Sequence, residues 1–228
     1  MIYPRQEGVF LSRKKHHFLL QNIILSVYSL HICRLSDDKM INTLIKTHKT
    51  VFSFEEIQGI FAHLKTESLK QALRRAKKDG RLLNPQRGVR TLPVYNQYEL
   101  AGKLFPGGYI SLEKVLFEAG VSFQRYGSTV HSIRYKSADI YFNNENYVAR
   151  SLKPEIYKNP ACIQTFDGYR KAMPERALCD LVYLRPNAHF DNPQYFQTKQ
   201  SEIRLQQLLP LYPKTTQDHV RRLITQQI

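Results

Sequence analysis

The residues best suited to chemistry in this sequence are a run of lysine and arginine side chains between Thr66 and Arg90. Eight basic residues lie in this segment, against only two acidic ones, Glu67 and Asp79. Dense positive charge on one short segment is typical of a surface that neutralises nucleic-acid phosphates. The chemistry expected here is therefore the binding of a polyanion, with double-stranded DNA as the partner.

The spacing of apolar residues predicts that most of this basic segment is a helix. Leu69, Ala72, Leu73 and Ala76 fall on one face at helical spacing. Thr66 is expected to cap the helix, and Gly80 is expected to end it in a left-handed conformation. Four side chains near the start of such a helix are candidates for contact with base edges: Ser68, Lys70, Gln71 and Arg74.

A β-hairpin is predicted directly after the basic helix. Residues 81–83 and 89–92 read as two short strands around a turn at Asn84–Gly88. In a winged helix-turn-helix, basic residues at the helix end and in this wing contact the phosphate backbone. The candidates for that role are Arg75, Lys78, Arg87 and Arg90.

Two further helices are predicted upstream and complete a winged helix-turn-helix over residues 40–92. The first covers residues 40–46, and the second covers residues 54–62 after Ser53, which can form a capping box with Glu56. A winged helix that binds only protein has the same elements. DNA binding is therefore the leading interpretation, and a protein-interaction module is the alternative.

Motifs for catalysis are missing from the sequence. A restriction-type nuclease needs an Asp followed further along the chain by Glu-x-Lys or Asp-x-Lys, so that two carboxylates hold a metal ion beside a lysine. No Glu-x-Lys or Asp-x-Lys follows Asp139 or Asp167. There is no phosphate-binding glycine loop, nucleophile elbow or His-Glu-x-x-His motif, and the three cysteines lack metal-ligand spacing. The expectation is a protein that is not an enzyme and needs no cofactor or metal. A divergent nuclease is the third alternative.

Composition bounds the class of protein. The chain has 228 residues, 42% of them hydrophobic, and a formal net charge of +15. These values indicate a globular protein with polyanionic partners, such as nucleic acid or an anionic membrane, and net charge alone does not choose between the two. Residues 1–39 contain an apolar stretch at Phe18–Cys33, but polar residues interrupt it and it is too short to span a bilayer. We expect residues 1–39 to be a non-native or disordered extension before Met40. The protein as a whole is expected to be cytoplasmic and to make no contact with a membrane.

The remaining residues, 93–228, predict a mixed α/β domain that ends in helices. A Tyr-Ile-Ser-Leu-Glu segment at residues 109–113 begins a helix, in which Tyr109 is expected to pack and Ser111 to be the N-cap. Strand-like runs follow. They cover residues 129–135, 139–142, 147–152 and 162–166, and terminal helices are expected near residues 201–209 and 217–228. The fold class is thus α+β, with an N-terminal winged helix-turn-helix.

A Pro-Glu-Arg-Ala-Leu-x-Asp-Leu segment at Pro174–Leu181 is the most specific motif in the second region. Glu175, Arg176 and Asp180 lie on one predicted helix, where Arg176 and Asp180 can pair along its surface and orient it. With the winged helix and the Tyr-Ile-Ser-Leu-Glu segment, this motif resembles the AbiEi family of antitoxins and transcriptional regulators.

The resemblance to the AbiEi family implies a function in type IV toxin-antitoxin and abortive-infection systems. It implies that the N-terminal domain binds an operator, with inverted repeats, and represses the protein's own operon. It also implies that residues 93–228 oppose a nucleotidyltransferase-like toxin. The wing at Arg87–Arg90 departs from the family pattern, because Arg90 replaces an aromatic residue.

Overall fold

The computed structural model describes residues 38–123 and 128–225. The predicted N-terminal extension therefore lies outside the described residues, except for Asp38 and Lys39. These two residues are already helical, in helix α1 (38–45). The prediction that Met40 begins this helix was thus wrong by two residues, and Asp38 forms an ion pair with Arg81 that ties the helix to the chain after α3.

The N-terminal region combines three helices with a small antiparallel sheet. After α1, the elements are β1 (Val51–Ser53), α2 (Phe54–Ile60), α3 (Thr66–Lys78) and β2 (Val89–Thr91), with β1 and β2 paired. Leu83 adds a single bridge to β2, through reciprocal backbone hydrogen bonds with Thr91 of 2.8 and 3.1 Å.

Local capping explains where these helices begin and end. Ser53 and Glu56 form the predicted capping box at the start of α2, which satisfies two backbone N–H groups. The prediction that Thr66 caps α3 was wrong: Lys65 is the N-cap, without a side-chain hydrogen bond, and Thr66 is the first helical residue. Gly80 has a φ of +69°, the left-handed conformation expected after the helix.

A mixed six-stranded sheet dominates the second region, and its strand order is β5-β6-β4-β3-β8-β7. The strand β4 pairs antiparallel with β3 and parallel with β6, and β3 pairs parallel with β8. The strands are β3 (Tyr109–Ile110), β4 (Thr129–Arg134), β5 (Ala138–Phe142), β6 (Glu145–Ser151), β7 (Ile163–Phe166) and β8 (Tyr169–Ala172).

Helices pack on this sheet and on one another. Helix α4 contacts β3, β4 and β8, while α5 lies between β4 and α7, and α7 carries α8 and α9. The protein is therefore a mixed α+β protein. The helices are α4 (Gln97–Leu104), α5 (Leu112–Glu118), α6 (Pro154–Tyr157), α7 (Pro174–Leu184), α8 (Lys199–Leu208) and α9 (Lys214–Thr225), with 3₁₀ turns at Pro193–Gln197 and Leu209–Leu211.

The buried apolar side chains form two clusters that meet at β1. Phe52 belongs to the smaller cluster, with residues of α1, α2 and α3, whereas Val51 belongs to the larger cluster around the six-stranded sheet. The Glu99 carboxylate of α4 accepts hydrogen bonds from the backbone N–H groups of Thr50 and Val51, at 2.8 and 3.2 Å. Helix α4 thus holds the start of β1. The division of the chain at residue 93 into two domains stays a prediction.

Across residues 38–123 and 128–225, no helix has the length and apolar character needed to cross a membrane.

Candidate nucleic-acid interface and the buried network

The outer face of α3 carries a stripe of exposed polar side chains. Leu69, Ala72, Leu73 and Ala76 are buried in the smaller core, as the helical spacing predicts. Gln71, Arg74 and Lys78, which lie on the opposite side of the helix, are all exposed, and we call these three residues the α3 stripe. The sequence pattern therefore orients the helix correctly, and the stripe presents two positive charges and one amide to solvent.

The other candidate side chains of α3 flank this stripe. Ser68 is exposed, whereas Lys70 and Arg75 are half-buried at its sides. The ammonium group of Lys70 donates a 2.7 Å hydrogen bond to Glu67, and this contact lowers the pKa of the Glu67 carboxyl. Because Glu67 partly neutralises Lys70, the positive charge of the helix is concentrated toward its C-terminal half, where Arg75, Lys77 and Lys78 lie in the last turn.

Two of the predicted phosphate contacts, Arg87 in the loop at residues 84–88 and Arg90 in the strand β2 that follows it, have different settings. Arg87 is exposed at the loop. Arg90 is half-buried, and its guanidinium donates hydrogen bonds to the Asn84 side chain and, at 3.0 Å, to the Val89 carbonyl. Burial lowers the pKa of Arg90. Arg90 thus shapes the loop that presents Arg87, and its contact with DNA stays a prediction.

A buried network of charged and hydroxyl side chains lies at the start of α7, far along the chain from α3. Arg176 and Asp180 are one turn apart and are both fully buried, with 3.3 Å between Arg176 Nε and Asp180 Oδ1. The Asp180 carboxylate also accepts hydrogen bonds from three hydroxyl groups. Tyr109, Ser111 and Tyr212 donate them at 3.0, 2.8 and 2.6 Å.

The guanidinium of Arg176 also donates several hydrogen bonds to the protein. It donates to the backbone carbonyl of Ile156 at 2.6 Å, and to those of Asn159 and Ala161 at 3.3 Å each. Burial raises the pKa of the Asp180 carboxyl, but Arg176 and the three hydroxyl donors oppose this effect. A buried ion pair is tolerated when its remaining hydrogen-bonding groups are satisfied in this way.

The structure corrects two sequence expectations at this network. Arg176 and Asp180 do pair, but in the protein interior rather than along the surface of the helix. Ser111 occupies the N-cap position of α5 without capping it, because its hydroxyl donates to Asp180 instead. Tyr109 is buried, as predicted. The network therefore joins β3, α5, α7 and the segment before α9, which is a structural role.

Glu175 is also fully buried, beside this network. It accepts a 2.7 Å hydrogen bond from the Ser201 hydroxyl and lies 3.1 Å from Arg204 Nη1. Glu175 thus fastens α7 to α8. All three motif residues on α7 are held by protein partners rather than presented to a substrate.

Sequence reasoning missed one further pair of titratable residues, Glu113 and His131. Glu113 Oε2 lies 3.5 Å from His131 Nδ1, and Glu113 also pairs with Arg185. Burial lowers the pKa of His131, so its imidazole is neutral near pH 7. The two residues are 18 positions apart and no motif joins them. Only the pairing of β4 with β3, which places His131 next to the start of α5, brings them together.

A catalytic site would need groups that bind a metal ion or act as a nucleophile. Within the described ranges, no group of three or more His, Cys, Asp or Glu side chains is arranged to hold a metal ion. Cys179 is buried in the larger core, and burial raises the pKa of its thiol. That environment favours packing over nucleophilic attack.

Comparisons with known proteins address the fold alone. No family model and no curated protein matches this sequence. Among solved structures, the chain is similar to the crystal structure of the RV2827C protein from Mycobacterium tuberculosis, with a TM-score of 0.54 and 13% sequence identity. The match covers 81% of this chain and 74% of that one. At this identity the similarity supports the overall α+β fold.

Proposed function

We propose that residues 40–92 form a winged helix-turn-helix that binds double-stranded DNA and that the protein is a transcriptional regulator. The α3 stripe is the observation that carries this proposal. A helix in the major groove needs an exposed polar face for base edges and cations for the phosphates. Gln71 and Arg74 suit the first role, whereas Lys78 and the loop residue Arg87 suit the second.

The order of elements in this region supports the proposal. The strand β1 precedes α2, α3 follows after a short connection, and the chain then returns through the Leu83–Thr91 bridge to pair with β1. A helix followed by a basic loop on a small sheet is the arrangement in which the helix and the wing can contact one duplex. A module that binds only protein has no need of basic side chains at both positions.

The test is a measurement of DNA affinity over a range of salt concentrations. The probes are a duplex from the region upstream of the gene and a random duplex of equal length. Binding should weaken as salt rises, because phosphate contacts release counterions. Arg74→Gln should weaken binding to the upstream duplex by about 1–3 kcal/mol, roughly 5-fold to 150-fold. Lys78→Gln should reduce the salt slope by about 1.

Arg221→Gln is the matched control, since Arg221 is an exposed arginine on α9 and the change removes the same charge. It should leave affinity for the upstream duplex nearly unchanged. If binding were absent or insensitive to salt, or if both arginine variants behaved alike, the protein-interaction alternative would replace this proposal.

We also propose an antitoxin function for residues 93–228, against a nucleotidyltransferase-like toxin. This proposal rests on the resemblance of Pro174–Leu181 and Tyr109–Glu113 to the AbiEi family. If a nucleotidyltransferase gene lies beside this one, its expression should arrest growth and co-expression of the full chain should restore it. Arg74→Gln should still restore growth, because the DNA contact and the antitoxin function are assigned to different regions. Failure of the wild-type chain to restore growth would contradict the antitoxin proposal but not DNA binding.

A further inference from the structure

A cavity of about 480 Å³ opens beside the end of α7, on the part of the protein that the DNA proposal does not use. Its apolar side is formed by Leu181 and Leu184, and its polar side by Arg185, Asn187 and His189. Cavities of this volume are in the range that holds small organic molecules.

Glu113 lines this cavity and holds Arg185 in place. Glu113 is 1% exposed, whereas the Arg185 side chain is 55% exposed. Arg185 donates to Glu113 Oε1, while Glu113 Oε2 is buried and accepts no hydrogen bond. A buried carboxylate thus fixes one edge of a guanidinium whose remainder faces the cavity and solvent.

The accessible groups of the cavity favour an anion over a cation. A guanidinium has five N–H donors in a planar fork, and the contact with Glu113 uses only part of them. Asn187 and His189 are exposed on the same loop and can donate as well. A cation would have to displace Arg185 from a buried carboxylate, whereas an anion can bind donors that are already exposed. The net charge of +15 also attracts anions.

A phosphate group fits these donors better than a carboxylate does. A phosphate monoester presents three terminal oxygens, so Arg185 can bind two of them through parallel hydrogen bonds while Asn187 and His189 donate to the third. The cavity is much larger than a phosphate ion alone. Leu181 and Leu184 therefore provide an apolar surface for the carbon skeleton of the ligand.

We propose that this cavity binds a small organic phosphate, whose oxyanion is held by Arg185 and whose carbon skeleton lies against Leu181 and Leu184. Glu113 is a positioning residue in this site, because it holds the guanidinium without touching the ligand.

The proposal is tested by calorimetric titration of the full chain with phenyl phosphate at low salt. Binding should be saturable with one ligand per chain. Inorganic phosphate lacks the apolar part and phenol lacks the charge. The affinity for each should therefore be lower than the affinity for phenyl phosphate by at least roughly tenfold. Arg185→Gln should abolish measurable binding. Arg185→Lys, which keeps the charge but loses the planar fork, should weaken it about tenfold.

Two controls separate this cavity from other basic sites. Arg204→Gln removes another arginine that pairs with a buried glutamate, and Arg204 does not line this cavity, so this variant should bind phenyl phosphate normally. The double variant Arg74→Gln/Lys78→Gln should also bind it normally while losing affinity for DNA. The proposal is overturned if wild type shows no saturable binding, if Arg185→Gln still binds, or if the α3 variant loses binding.

Discussion

Replacing Arg176 with methionine is expected to lower the free energy of unfolding by about 3–5 kcal/mol, because it leaves the buried charge of Asp180 without its ionic partner. The change also removes the donor to the Ile156 carbonyl, at 2.6 Å, and the donors to two further carbonyls. Buried acceptors that lose their donors add to the loss of stability. Urea unfolding followed by circular dichroism measures the difference.

The double variant Arg176→Met/Asp180→Leu provides the control for this expectation. Removing both charges together eliminates the unpaired carboxylate, so the double variant should recover part of the stability that Arg176→Met loses. Arg204→Met, which removes a partly exposed partner of Glu175, should have a smaller effect than Arg176→Met. If Arg176→Met unfolded at the same urea concentration as wild type, the network would not stabilise the fold.

Replacing Gly102 with alanine is expected to destabilise the protein by roughly 2–3 kcal/mol, although alanine normally favours a helix. An added Cβ at this position of α4 would lie 2.2 Å from the backbone carbonyl oxygen of Gly168. That oxygen belongs to the turn between β7 and β8, so the hairpin must move away from α4. Thermal unfolding followed by circular dichroism measures the effect as a lower Tm.

Gly59 offers a matched control within another helix. Nothing lies within 4 Å of a Cβ built at Gly59 in α2. Gly59→Ala should therefore stabilise the protein, by about 0.5–1 kcal/mol, through helix propensity alone. Equal Tm values for the two alanine variants would contradict the close packing of α4 on the β7–β8 turn.

The elements that the sequence predicts well are those whose signals are local. The capping box of Ser53 and Glu56 lies within four residues, and the buried face of α3 repeats at helical spacing within one segment. The strands β4 to β7 were also predicted, to within a few residues at each end. By contrast, β3 has only two residues, too few to establish an alternating pattern, and β8 was not predicted.

The burial of the α7 motif could not be predicted, because its partners are distant in sequence. Tyr109 and Ser111 are 71 and 69 residues from Asp180, and Tyr212 is 32 residues away on the other side. From the helix alone, a spacing of four residues between Arg176 and Asp180 fits a surface pair equally well. The cavity beside Arg185 could not be predicted for the same reason, because Glu113 belongs to another helix.

The position of β1 between the two cores bears on how the chain unfolds. Val51 and Phe52 are neighbours in sequence and point to different cores, and Glu99 fixes the backbone just before them. Unfolding of the α1–α3 core would therefore also remove packed side chains from the core around the six-stranded sheet. Unfolding of the sheet core would likewise remove packed side chains from the α1–α3 core. We expect a single cooperative transition, in which helix α3 gains its stability from residues more than a hundred positions away.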